Sequence, residues 1–309
     1  MTALTSPTRM KPPMGAPGRP RPPRFTGRRL APYAFVLPAL LLFAVFKIYP
    51  IGHSFVLSLY RTVGGVDTFV GTDNYARLLG DPLFWTALRN TAVILVFQVP
   101  VMLALATGLA VAFGSALLRG RAVFRLGFFL PMVTGLVAYG LIFSVLLNEK
   151  YGLVNWLLGL VGIGEVPWLV DPLWAKISLG LALTWHYTGY NAVILLARLQ
   201  SIPTELYDAA SVDGAGGWKS FLHVTLPGLR PAILLTTVLS TIGTLQIFDE
   251  PYVLTRGGPD NATLTIGVYL YQNAFVYFDF GYASAIAYAL AVLIGILGLI
   301  QFRVLGDGK

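Results

Sequence analysis

The sequence YDAASVDGAGGWKSFLHVTLPGLRP, residues 207–231, interrupts a chain that is otherwise strongly apolar. It is polar and glycine-rich, and it separates two long apolar runs. Pro203 suits the first turn of a helix with Ser201 as its N-cap, and Asp208 lies early in that helix, where carboxylates are favoured. Gly214 and the glycines after it are expected to end the helix before a second short amphipathic helix. The stretch predicts a helix–turn–helix hairpin that is too polar for a bilayer interior.

The composition indicates that lipid is the main solvent of this protein. Of its 309 residues, 56% are hydrophobic and only 12% are charged, whereas soluble domains carry about 25% charged residues. The absence of cysteine excludes disulfides and thiol catalysis, and three scattered histidines do not favour a metal site. The net charge of +8 does not indicate nucleic-acid binding, because basic residues crowd into residues 1–29. That segment is also rich in proline and glycine, and it is predicted to be a disordered cytoplasmic tail.

Residues 30–309 are predicted to form one transmembrane domain of an all-α membrane protein. A span needs about 20 mostly apolar residues. Six segments satisfy this requirement, at about 31–59, 90–114, 123–147, 173–198, 231–250 and 282–304. The first lacks a small-residue cleavage site after a short apolar region, so we interpret it as a retained span and not as a signal peptide.

The distribution of basic residues predicts the orientation of these spans. Most lysines and arginines fall on the side of the membrane that holds the two termini, and the short loop 115–125 has only basic charges. By the positive-inside rule, both termini are cytoplasmic. The loop between spans four and five, residues 199–230, is then cytoplasmic as well.

This cytoplasmic loop has two interpretations on physical grounds: an ordinary interfacial loop, or a docking element for a cytoplasmic partner. It resembles the cytoplasmic EAA loop of permease subunits in type I ABC importers, which lies between the fourth and fifth of six spans. Asp208 stands where that pattern has glutamate. The residues that match in order and spacing are Asp208, Ala209, Ala210, Asp213, Gly214, Ala215, Leu226 and Pro227.

Two further segments are similar to the carbohydrate-uptake branch of these permeases, of the maltose and glycerol-phosphate kind. They are FDEPYVLTRGGP at 248–259 and VGTDNYARLLGDPLFWTALRNT at 70–91. The resemblance therefore extends over about residues 30–305. It implies a bacterial cytoplasmic-membrane protein whose loop is a coupling helix lodged in a groove of an ATPase.

The same resemblance implies partners for this chain. They are a homologous second permease, a dimeric nucleotide-binding ATPase that holds ATP and Mg, an extracytoplasmic sugar-binding protein and the membrane lipid. The chain has no match to the phosphate-binding pattern G-x-x-x-x-G-K-[ST] and no evident nucleophile–base set. We therefore expect no enzymatic activity, no cofactor and no metal in the chain itself.

Polar side chains within the predicted spans indicate a sugar site. Tyr187, Tyr190 and Asn191 share one helix face in span four, and aromatic faces with polar edges suit sugars. The resemblance implies that Tyr190 and Thr244 fall at positions that contact sugar, and Gln246 follows in span five. Alternatively, the hydroxyl residues of span five, Ser240, Thr241 and Thr244, serve only for hydrogen bonds between helices or to their own backbone.

Asp249 and Glu250 are predicted to lie at the outer end of span five. We interpret them as carboxylates that face water at the outer mouth, with proton coupling as the alternative. An ion-coupled secondary transporter would need intramembrane ionisable residues and internal repeats, and neither stands out. A membrane-bound enzyme is disfavoured because the polar motif has no catalytic set.

Overall fold

The computed structural model of the protein describes residues 27–63, 66–115 and 118–306, which are mostly helical. Helices satisfy all backbone hydrogen bonds within one segment, as an apolar environment requires. The helices are α1 Gly27–Phe43, α2 Tyr49–Leu57, α3 Asp73–Gly80, α4 Pro82–Gly114, α5 Arg121–Val133, α6 Leu136–Leu146, α7 Leu153–Leu160, α8 Pro172–Leu199, α9 Thr204–Val212, α10 Gly217–Ser220, α11 Leu226–Leu245, α12 Asp249–Thr255, α13 Ile266–Tyr271 and α14 Phe280–Gly306. π-helical turns at Ala44–Ile48 and Phe221–Thr225 join α1 to α2 and α10 to α11, and a third at Gln272–Val276 continues α13.

A small sheet departs from the all-α prediction. Strands β1, Tyr60–Val63, and β2, Val66–Phe69, pair antiparallel, with Tyr60 opposite Phe69. The sequence carried a signal for this hairpin, because the two glycines between the strands separate runs with β-branched residues. The fold is otherwise helical, as predicted.

Within the described residues, four helical segments are long and apolar enough to cross a membrane: Pro32–Leu57, Pro82–Gly114, Gly217–Leu245 and Phe280–Val304. The pair α5 and α6 adds a fifth if it counts as one span, although it bends by 100°. The third span predicted at about 123–147 corresponds to this bent pair of helices. Pro131 lies in the last turn of α5, and proline there weakens helix continuation.

The fourth predicted span matches a helix in its bounds, whereas the fifth does not. The fourth, at 173–198, coincides with α8, whose 28 residues extend about 42 Å at 1.5 Å per residue. Its polar stretch TWHYTGYN lowers its mean hydropathy, and α8 is not among the four apolar segments. The fifth was predicted to reach residue 250, but α11 ends at Leu245 and Asp249 begins the separate helix α12.

The chain divides after Gly52 into two units. In the first, the described residues are helical from Gly27. The tail predicted for residues 1–29 lies outside the described residues, except for the three at the start of α1. The second unit, residues 53–309, contains apolar clusters of buried side chains between its helices, one of them formed by residues of α4, α8 and α11.

Small residues allow α8 to pack closely against its neighbours. Ala106 of α4 and Ala192 of α8 are fully buried. The approach to α5 is closer still, because a Cβ added to Gly189 would lie 1.7 Å from the carbonyl oxygen of Phe128. Helices in lipid associate through such close contacts between small residues. The α5–α8 crossing therefore depends on Gly189.

A polar network around the partly exposed Asp81 fixes the start of α4. The Asp81 carboxylate caps α4 by accepting from the Leu83 N–H at 2.9 Å. It also accepts hydrogen bonds from the Tyr269 hydroxyl and, at 2.5 Å, from the Tyr282 hydroxyl. Arg77 lies 3.9 Å from the centre of the Tyr282 ring. One carboxylate thus links α4, α13 and α14.

We expect Asp81→Ala to lower the free energy of unfolding by about 3 kcal/mol or more. The substitution removes a cap worth about 1 kcal/mol and two hydrogen bonds to a charged group, each worth about 1.5–3 kcal/mol. Asp171→Ala is the matched control, since Asp171 also precedes a proline and caps α8 through the Leu173 and Trp174 N–H groups. Its expected loss is about 1 kcal/mol. Denaturant unfolding in detergent compares the two, and equal losses would contradict the network.

Candidate functional site

A cavity of about 320 Å³ lies between α4, α8 and α11 and the segment that leads into α12. All five residues predicted to bind substrate line it: Tyr187, Tyr190, Asn191, Thr244 and Gln246. The helical spacing explains the first three, since residues i, i+3 and i+4 share a face. Thr244 is in the last turn of α11 and Gln246 is its C-cap. The tertiary structure therefore brings the two predicted groups into one site.

Hydrogen bonds hold the α8 side of this cavity. The Asn191 amide donates to the Tyr187 carbonyl oxygen at 3.0 Å, and its Nδ2 lies 3.6 Å from the Met102 sulfur of α4. The Tyr187 hydroxyl donates to Glu250 Oε1 at 3.4 Å. Tyr190 is partly exposed and Gln246 is exposed, so both side chains are accessible to a ligand.

The cavity wall also contains residues of α4 that were not predicted from the sequence. Gln98 and Met102 of α4 line it, and Gln98 is buried with its Nε2 at 3.4 Å from the Met102 sulfur. A glutamine within an apolar run is an available signal, because polar side chains inside spans mark pathways. Ser240 also lines the cavity, whereas Thr241 accepts a hydrogen bond from Gln301 of α14 at 2.7 Å. Thr241 thus fits the alternative interpretation of an interhelical bond.

The burial of Glu250 differs from the prediction for this residue. It was expected to face water at an outer mouth, but only 2% of its surface is exposed and it lines the cavity together with Asp249. The reason is that α11 ends early, and α12 then packs against α6 and α8. Leu254 of α12 joins a buried cluster with Tyr139 and Leu183. This packing carries Glu250 into the interior.

The hairpin, residues 199–230, forms two helices as expected. Helix α9 ends where Gly214 adopts a φ of +73°, and the Ala215 N–H donates to the Ala210 carbonyl oxygen at 2.9 Å. This is a Schellman-type helix end, for which glycine is favoured. Ser201 was predicted to be the N-cap of α9, and this prediction is wrong. Its hydroxyl donates to the Arg198 carbonyl oxygen, and Pro203 is at the N-cap position.

Pro227 and Pro231 were expected to restart the chain as it re-enters the membrane, and here the structure differs. Residues 217–245 form one continuous helical segment, so Pro227 and Pro231 lie within a helix and do not restart it. Pro227 comes just after the π-helical turn Phe221–Thr225, and a proline inside a helix removes one backbone hydrogen bond. The hairpin therefore connects to α11 through one continuous helical segment.

The hairpin is exposed but held at its base. Asp208, Ala209, Asp213, Gly214 and Pro227 are exposed, and Ala210, Ala215 and Leu226 are partly exposed. The Arg198 Nε donates to the Gly228 carbonyl oxygen at 3.0 Å, and the hydroxyls of Tyr207 and Thr225 hydrogen-bond at 3.0 Å. Val212 and Trp218 expose 88% and 71% of their surfaces. Large exposed apolar side chains on a polar loop are typical of a protein contact surface.

The described residues contain no group of three or more His, Cys, Asp or Glu side chains that could hold a metal ion. The described residues form a polar and aromatic cavity among apolar helices, together with an exposed hairpin. This arrangement is typical of a transport component. Residues 32–306 match the family of binding-protein-dependent transport system inner membrane components. The chain belongs to this family.

Individual relatives agree with this assignment. The chain is 44% identical over 281 residues to the lactose transport system permease protein LacF of Rhizobium radiobacter, covering 90% of this chain and 94% of LacF. It is 36% identical to the arabinooligosaccharides transport system permease protein AraP of Bacillus subtilis (strain 168), covering 92% and 91% of the two chains.

A solved structure shows the same fold. It is a crystal structure of a bacterial ABC transporter involved in the import of the acidic polysaccharide alginate. The TM-score is 0.81 at 23% identity, covering 92% of this chain and 98% of the other. The predicted permease fold of an ABC importer is confirmed at this level. Because the family consists of transport components, the prediction of a non-enzymatic subunit is also confirmed.

Proposed function

We propose that this chain is the permease subunit of an ATP-driven importer of sugars or oligosaccharides and that its cavity is the sugar site. The observation that carries the proposal is the cavity of about 320 Å³ lined by Tyr187, Tyr190, Asn191, Thr244 and Gln246. Binding sites for small molecules have volumes of about 300–1,000 Å³ and a few convergent polar groups in an apolar wall. The named substrates of LacF and AraP, lactose and arabino-oligosaccharides, support a sugar.

In this proposal six helices span a bacterial cytoplasmic membrane, with both termini in the cytoplasm. Helix α8 is the span that carries the site, and its polar face is shielded from lipid by α4, α5 and α11. The basic loop 115–125 supports the orientation. The hairpin then lies on the cytoplasmic side and serves as the coupling element.

The proposal assigns energy coupling to partner chains. The exposed hairpin docks into a groove of a dimeric ATPase, which holds ATP and Mg, and Val212 and Trp218 add apolar area to that contact. A homologous permease supplies the other half of the pathway. The family's dependence on a binding protein supports an extracytoplasmic sugar-binding protein as the donor of substrate.

The experiment that tests the site is Tyr190→Ala in the assembled transporter. A stacked aromatic contributes about 0.5–1.5 kcal/mol beyond its burial, and a hydrogen bond about 1 kcal/mol. We expect at least a tenfold lower uptake of the labelled oligosaccharide that the wild-type transporter takes up fastest from a panel. Stimulation of the ATPase by the loaded binding protein should survive in part.

Two variants control this experiment. Tyr151→Ala removes a tyrosine that is 90% exposed and outside the cavity, and it should leave uptake unchanged. Asp208→Ala should show the opposite pattern, with weaker co-purification of the ATPase and an intact cavity. Wild-type uptake by Tyr190→Ala would show that α8 does not carry the site.

A further inference from the structure

The charges at the cavity have one sign. Asp249 and Glu250 line it at the start of α12, and no lysine, arginine or histidine is among the described residues that line it. The remaining polar groups of the wall are amides and hydroxyls, such as those of Gln98 and Ser240. The wall therefore offers a ligand acceptors, neutral donors and negative charge.

The two carboxyl groups differ in burial, since Glu250 is buried and Asp249 is partly exposed. The Glu250 carboxyl group accepts a hydrogen bond from the uncharged Tyr187 hydroxyl at 3.4 Å, which is long for a hydrogen bond. Arg77 and Asp279 form an ion pair, and neither residue lines the cavity. A partly exposed carboxylate such as that of Asp249, in a wall whose described residues include no basic side chain, stabilises a cation or hydrogen-bond donors and disfavours an anion.

We infer that the Asp249–Glu250 pair selects sugars by charge, so that the cavity accepts neutral or amine-bearing sugars and rejects sugars that carry a carboxylate. This inference rests on the proposed sugar site. The fold alone does not decide whether acidic sugars are accepted, because an importer of the acidic polysaccharide alginate has the same fold. The charge at the cavity wall is instead set by the first two residues of α12, Asp249 and Glu250.

Two probes that differ only at C6 test the inference: p-nitrophenyl β-D-glucoside, which is neutral, and p-nitrophenyl β-D-glucuronide, which carries a carboxylate. Binding is measured by equilibrium dialysis with the purified, assembled membrane complex without its binding protein. We expect the wild-type complex to bind the glucoside at least tenfold more tightly, which corresponds to about 1.4 kcal/mol. Equal affinities would overturn the charge selection and leave the sugar site standing. Failure of both probes to bind would contradict the sugar site itself, and the charge selection with it.

The isosteric double variant Asp249→Asn with Glu250→Gln assigns the effect to these residues. It should reduce the preference for the glucoside to threefold or less, mainly through tighter binding of the glucuronide. Glu165→Gln removes an exposed carboxylate outside the cavity and should keep the wild-type preference. A double variant that binds the glucoside normally and still rejects the glucuronide would overturn the assignment. The wild-type comparison needs no variant, so it decides the selection even if the double variant fails to fold.

Discussion

Gly189→Ala is expected to destabilise the folded subunit by about 3 kcal/mol or more. The new Cβ would lie 1.7 Å from the Phe128 carbonyl oxygen and 2.4 Å from its carbonyl carbon. These atoms belong to the backbone of α5, so no side-chain rotation can relieve the overlap. Overpacking in a close-packed interior costs about 1–3 kcal/mol when side chains can adjust, and more when they cannot. Either α5 must move away from α8, or α8 must deform beside Tyr190.

Gly180→Ala is the matched control on the same helix, because a Cβ at Gly180 meets nothing within 4 Å. Alanine is the better helix former by about 0.8–1 kcal/mol, so this variant should be slightly more stable than the wild type. The two alanine substitutions thus have opposite expected signs. Thermal unfolding monitored by size-exclusion chromatography in detergent measures both, and a Gly189→Ala variant as stable as the wild type would show that α5 and α8 are further apart.

Gly214→Pro is expected to reduce transport to near background while the subunit still inserts into the membrane. Gly214 has a φ of +73°, and proline fixes φ near −65°. The turn after α9 must therefore refold, and the residues that match the ATPase-docking pattern change position. The cavity among α4, α8 and α11 contains no residue of the hairpin, so sugar binding should persist. Replacing Ala210 by a residue with a bulky side chain should also reduce transport without preventing membrane insertion.

Gly216→Pro is the control for this prediction. Gly216 has a φ of −68°, which proline adopts without strain, and a Cβ there meets nothing within 4 Å. The residue before it, Ala215, is not helical, as a residue preceding proline prefers. We expect near-normal ATPase stimulation and uptake from Gly216→Pro. If the Gly214→Pro and Gly216→Pro transporters couple ATP hydrolysis to uptake equally well, the hairpin is not the coupling element.

The sequence by itself determined the membrane class, the helical character and the position of the hairpin. These follow from local properties, since long apolar runs must form helices in lipid and a polar, glycine-rich run must leave it. The same-face relation of Tyr187, Tyr190 and Asn191 also follows from helix geometry alone. Even the turn at Gly214 was predictable, because only glycine adopts a left-handed conformation without cost.

Only the tertiary structure decided which polar residues share a cavity and where the charges lie. The bend after Pro131 and the early end of α11 at Leu245 are local events, yet their consequence is non-local. Once α12 packs on α6 and α8, Glu250 is buried against Tyr187 and does not face water. Gln98 joins the same cavity from a helix distant in sequence. No periodicity encodes such contacts, because they depend on how closely small residues such as Gly189 allow separate helices to approach.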